Sequence, residues 1–115
     1  MSTVERRRHV RLKPVPELPA RAVLIGDGLV HESLGVIDVS VSGIALATTP
    51  TVKLRTGDHA KLRLSLDHYG EHVVEIVARW TSGDAVGVEL VDPSPEAKKA
   101  VHRYVAELLE RGAPP

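Results

Sequence analysis

His59-Ala60-Lys61-Leu62-Arg63-Leu64-Ser65-Leu66 is the stretch on which the fold turns. Apolar Ala60, Leu62, Leu64 and Leu66 alternate with His59, Lys61, Arg63 and Ser65. A period of two gives a strand with one buried and one wet face. Asp67-His68-Tyr69-Gly70 then reads as a hairpin loop. Residues 72–81 (HVVEIVARWT) return with Val74, Ile76, Ala78 and Trp80 on one face. Ser82-Gly83-Asp84 turns the chain again, and residues 85–91 (AVGVELV) close the series.

Outward from this hairpin the pattern stays β. Residues 20–25 (ARAVLI), 34–41 (LGVIDVSV) and 44–48 (IALAT) are three more strands, separated by Gly26-Asp27-Gly28 and by Ser42-Gly43. Six short strands with close turns and no intervening helix predict an antiparallel β-barrel or sandwich, not a parallel sheet. One α-helix follows, over about 95–111. Ser94 suits the N-cap, Pro95 the first helical position, and Glu96 the positive end of the helix dipole. Ala97, Val101, Tyr104, Val105, Leu108 and Leu109 form an apolar stripe, and Gly112 ends it. The stripe needs a cover, which the barrel supplies. Residues 1–17 differ: they are rich in Arg and broken by Pro14 and Pro16, and read as a flexible arm before a body spanning 18–112.

The chain's 115 residues fit a single core. That core is built from Val, Leu and Ala, since the sequence holds no Phe, one Trp and two Tyr. Fifteen basic residues balance fifteen acidic ones, so no overall charge draws the protein to nucleic acid. The basic residues are concentrated locally: Arg6, Arg7, Arg8 and Arg11 face only Glu5 in the first eleven positions. A local cationic clamp on a neutral body suits a small anion better than a long polyanion. The absence of Cys excludes disulfide and thiolate chemistry. No apolar run approaches a membrane span, and no apolar signal region follows the basic start, so a cytoplasmic location without membrane insertion is expected.

Two segments carry the candidate chemistry: Arg7-x-x-x-Arg11 preceded by Arg6, and Asp38-Val39-Ser40-Val41-Ser42-Gly43. Asp38 and Ser40, two apart in a strand, are expected on one wet face, with Ile37, Val39 and Val41 turned to the core. Gly43 admits a positive φ or a close backbone approach. A carboxylate accepts from the N1 and N2 donors of guanine, and a hydroxyl donates to phosphate. An Arg fork covers guanine O6 and N7 or grips phosphate. Alone, either segment also reads as solvated surface.

Together, and in this order on an all-β pattern, the R-x-x-x-R and D-x-S-x-x-G runs resemble the signature motifs of the PilZ family, whose members bind cyclic di-GMP. Residues 78–90 (ARWTSGDAVGVEL) resemble the family's late strand pair. The resemblance implies a six-stranded antiparallel barrel with a C-terminal helix, here a single-domain receptor and not an enzyme. It implies that Arg7 and Arg11 clamp phosphate and guanine, that Asp38 reads a guanine edge, that Ser40 bonds phosphate or backbone near the ligand and that Gly43 shapes the turn. Trp80 is a further candidate base contact. In the family the residue before the R-x-x-x-R run bears on stoichiometry. Arg6 stands there, which implies two stacked ligands per chain. The clamped arm would signal to an effector protein. The alternatives are a PilZ-like interaction scaffold that binds no ligand, and a small nucleic-acid-binding barrel. The latter is opposed by the neutral charge and scarce aromatics. His68 and His72 bracket a turn without a third ligand, so no metal site is expected.

Overall fold

The computed structural model describes residues 10–26, 31–50, 52 and 54–115. Among the described residues seven strands precede one helix: β1 (Ala20–Ile25), β2 (His31–Leu34), β3 (Val36–Val39), β4 (Gly43–Ala47), β5 (His59–Leu66), β6 (Gly70–Ser82), β7 (Ala85–Val91) and α1 (Pro95–Glu110). Every pairing is antiparallel, in the order β2-β1-β5-β6-β7-β4-β3. The central hairpin matches its sequence pattern. Leu62, Leu64, Leu66, Val74, Ile76 and Ala78 all lie in the core.

The strand expected over 34–41 is the shorter β3, and β2, which shares only Leu34 with that span, was not expected, which is why six strands become seven. Gly35 alone separates them, and its carbonyl accepts from Ala47 N at 2.8 Å. Yet β2 and β3 occupy opposite ends of the strand order. No ladder joins them, so the sheet is not a closed ring of hydrogen bonds. The chain itself joins them, and the sheet must curl until its two edges meet at Gly35. The expected closed barrel is therefore an open sheet rolled up by a covalent joint.

Helix α1 starts where its cap requires: the Ser94 hydroxyl accepts from Ala97 N at 3.1 Å, with Pro95 in the first turn. Its buried residues are Ala97, Ala100, Val101, Tyr104, Val105 and Leu108. Leu109, expected in this stripe, is 57% exposed. It stands about 100° round the helix from Leu108, past the edge of the buried face, and Ala100 fills the opposite flank. Tyr104 is fully buried and donates to the Leu18 carbonyl at 2.7 Å. Burial pushes its phenol up to about 12. At the far end Gly112 takes φ +72°, and Ala113 N returns to Leu108 O at 3.0 Å.

Packing begins earlier than the boundary expected at Leu18. Leu12 is 3% exposed and exchanges backbone hydrogen bonds with Val39 at 3.0 and 2.9 Å. Lys13 N donates to Pro114 O at 2.8 Å, so this short segment lies between β3 and the C-terminal tail. Leu12 anchors it, with Val10 and Val15 packed against the core on either side. The expected arm otherwise falls on residues 1–9, outside the described residues.

Two variants test these contacts. Tyr104→Phe leaves the Leu18 carbonyl without its donor and is expected to cost about 1–3 kcal/mol in urea unfolding. Because the folded phenol titrates above its unfolded value of about 10, the wild type should lose stability as pH rises from 10 towards 12. That loss should be smaller in Tyr104→Phe. Gly43→Ala should destabilise the fold, because a Cβ there would lie 2.5 Å from the Val88 carbonyl oxygen across the β4–β7 ladder. An unchanged melting temperature would contradict this.

Candidate ligand site on the outer sheet face

Two bulges set the site. In β6 the register shifts between Ala78, opposite Val88, and Trp80, opposite Gly87. A bulge places an extra residue on one strand and turns the residues beyond it to the other face. Ala78 is 1% exposed, whereas Trp80 is 36% exposed. The alternation that would have put Trp80 beside Ala78 in the core thus fails at Arg79. In β3 a second shift lies between Val36 and Asp38, leaving Ile37 36% exposed. Of the three residues expected inside, only Val39 is fully buried; Val41 is half-buried.

Cross-strand partners share a face, so the registers trace a row. Asp38 pairs with Ala45, Ala45 with Gly87, and Gly87 with Trp80. The adjacent row Val39, Ile44, Val88 and Ala78 belongs to the core cluster, whereas Ala45 does not. The first row therefore faces outward. Three strand spacings, about 14 Å, separate Asp38 from Trp80. Its floor is small because it must be: a Cβ on Gly87 would lie 2.0–2.7 Å from Nε1, Cε2 and Cδ1 of Trp80. The indole lies over the Gly87 backbone with part of its surface open.

At the other end stands a charge pair. The Leu12–Val39 bridge turns Leu12 inward and leaves Arg11 outside. Arg11 Nη1 lies 3.6 Å from Asp38 Oδ1, beyond good hydrogen-bond length. Among the described residues this buried Oδ1 has no hydrogen-bond partner. A buried acceptor without a donor costs roughly 1–3 kcal/mol, more if charged, so the position favours any ligand that brings N–H groups.

Of the tasks expected of Ser40 and Gly43, the structure shows the backbone bond and the turn. Ser40 is 4% exposed. Its hydroxyl accepts from Gly43 N at 3.1 Å and reaches Gly43 O at 3.1 Å, while its own N donates to Gly43 O at 2.9 Å. The hydroxyl is held inside the turn and is not presented beside Asp38. Gly43 has no positive φ; glycine is required there by the approach of Val88 O. Arg6 and Arg7 lie outside the described residues, so of the two arginines of the first run the structure positions Arg11. The sequence reading omitted Ala45, Arg79 and Glu89. Arg79 Nε donates to Glu89 Oε2 at 2.7 Å immediately beside Trp80. The signal available was the Trp80…Gly87 spacing, which needs a flat indole over a glycine.

Other clusters hold structure together. The Tyr69 hydroxyl donates to Glu107, which also accepts from Arg111 Nε at 2.8 Å. These two hydrogen bonds hold the Glu107 carboxyl below its ordinary value, and the carboxylate raises Tyr69. The contacts pin α1 to the β5–β6 hairpin. His72 Nε2 lies 2.9 Å from the Tyr69 carbonyl, and no set of three ligating side chains among the described residues could hold a metal. Surface hollows of 570 and 620 Å³ are lined by Tyr69 with α1 and by Leu24–Gly26 with Lys61 and Glu75, away from the Asp38–Trp80 row. No described helix is long and apolar enough to cross a membrane.

Comparison with curated proteins returns no match. Among solved structures, the chain is similar to the PilZ domain of YcgR from Escherichia coli with c-di-GMP, at TM-score 0.72 and 14% identity over 93% of this chain and 94% of that one. It is similar to the K. pneumonia MrkH–c-di-GMP complex (TM-score 0.75, 16% identity, 89% of this chain and 51% of that one). The Bacillus subtilis inhibitor of motility MotI/DgrA also matches (TM-score 0.74, 18% identity, 92% of this chain and 52% of that one). This chain thus spans about half the length of MrkH and MotI. At such identities these likenesses establish the fold. The PilZ domain model matches residues 5–107, taking in both sequence runs, all seven described strands and most of α1, and the chain belongs to the PilZ domain family.

Proposed function

We propose that this domain is a cyclic di-GMP receptor, not an enzyme, and that it binds the dinucleotide on the outward row from Arg11 and Asp38 to Trp80. The observation that carries the reading is the buried Oδ1 of Asp38, without a hydrogen bond among the described residues and 3.6 Å from Arg11. Guanine N1–H and N2–H₂ are the donors such an acceptor lacks, and the exposed indole offers a face on which a base can stack. Support also comes from the family and from the c-di-GMP complexes of YcgR and MrkH. Ser40 and Gly43 contribute by fixing the turn after Asp38. Arg6 and Arg7 supply further cations from the first run. Each ligand carries two negative charges, so a stacked pair is favoured by Arg6 beside Arg7 and Arg11. Ligand and arm together form a new surface for an effector protein.

Calorimetric titration tests this. Wild type should bind cyclic di-GMP with cyclic di-AMP and GTP much weaker, and saturate near two ligands per chain. Equal affinity for cyclic di-AMP would defeat the guanine specificity, and no heat at all would leave the ligand-free scaffold as the better reading.

Arg11→Ala and Asp38→Ala should each weaken binding at least about tenfold, since a charge-assisted contact is worth about 1.5–3 kcal/mol. Neither opens a core cavity, so melting temperatures should hold. Arg6→Leu should shift the ratio towards one. A wild-type ratio of one would remove the stacked pair and leave the receptor.

A further inference from the structure

We infer that Arg79 is a second guanine-reading arginine, held in position by Glu89; this rests on the receptor reading above. The β6 bulge carries the inference. In a regular strand Arg79 and Trp80 would point to opposite faces. Because the register shifts between Ala78 and Trp80, both stand on the outer side: Ala78 is buried and Trp80 is 36% exposed, while the Arg79 side chain is 59% exposed. A cation thus sits next to an open indole, on the same strand edge of the row that ends in Asp38.

The geometry of the ion pair defines what this arginine can do. Glu89 takes Nε, at 2.7 Å from its Oε2. The two terminal nitrogens have no partner among the described residues, and they form a planar fork. A carboxylate on Nε restricts the plane of that fork, since the guanidinium is rigid. Glu89 is itself placed by the ladder, directly opposite Gly43 across β4 and β7. Its 48% exposed side chain leaves the pair at the rim, where it orients more than it stabilises. A base lying on the outer face of Trp80 would bring its edge towards the neighbouring residue. For guanine that edge bears O6 and N7, two acceptors at the spacing of an Arg fork. Adenine presents a donor there and would be refused. Asp38 at one end and Arg79 at the other therefore suit the two different hydrogen-bonding edges of guanine, and the strand spacings between them suit a two-base ligand.

The test separates base reading from simple charge. Wild type, Arg79→Ala and Arg79→Lys are titrated calorimetrically with cyclic di-GMP and with its 7-deaza analogue, which lacks N7. Both variants should lose at least about tenfold in affinity for cyclic di-GMP, Lys included, because an ammonium keeps the charge but not the fork. The analogue should bind wild type more weakly, with little or no further loss in Arg79→Ala, since interacting groups give non-additive losses. Unchanged affinity in Arg79→Ala, full retention in Arg79→Lys, or losses that simply add would overturn the assignment while leaving the receptor intact. No binding of cyclic di-GMP by wild type would remove the receptor reading and this one together. Arg79 is exposed, so melting temperatures of the variants should match wild type and exclude misfolding as the cause.

Discussion

Much of this molecule depends on one covalent constraint: a run of nine residues, 31–39, serves both edges of a single sheet. Its first half pairs with β1 and its second with β4, and only Gly35 lies between. A sheet twisted in the usual sense can satisfy both pairings only by rolling into a tube. Once it has rolled, the inner face holds the Val and Leu side chains, and the opening that remains is covered by α1. The fold needs no Phe because its interior is narrow. Branched aliphatic side chains, alanines and Tyr104 fill it.

Rolling also decides where chemistry can sit. The inner face of the tube is filled by the core among the described residues, so the proposed ligand would meet the outer face, where side chains alternate regularly between exposure and burial. The two bulges break that regularity on neighbouring parts of the sheet. One sends Trp80 outward against Gly87, and the other shifts β3 between Val36 and Asp38. Between them the row is kept low by Ala45 and Gly87. The product is a shallow strip with acceptor, floor and aromatic in line, built by irregularities in pairing.

These properties explain how much could be read from the residues. The β5–β6 hairpin was legible in outline because strict alternation admits one interpretation, and α1 because its cap, stripe and terminator agree. Asp38 and Arg11 were legible as a pair, since both belong to spaced motifs, and the structure brings them within 3.6 Å. Bulges leave no mark in a period-two pattern. The face of Trp80 and the exposure of Ile37 were therefore misread, and Arg79 passed unnoticed. Ser40 shows a different limit. A hydroxyl in a turn can serve ligand or backbone, and composition alone does not distinguish them. Leu109 fell outside its stripe because a helix face is an arc, whose edge depends on the surface it meets.

The outward turn of Trp80 has an optical consequence. It is the sole tryptophan of a chain whose remaining fluorophores are two tyrosines, one of them sealed in the core. Indole emission from this protein therefore originates at the surface strip and not from the packed interior. Quenching or a spectral shift would register an event at the strip even when the core is undisturbed. Conversely, loss of core packing would be seen first through Tyr104, whose signal is normally hidden behind an indole. The domain thus separates, by the position of two rings, a reporter of its surface from a reporter of its fold.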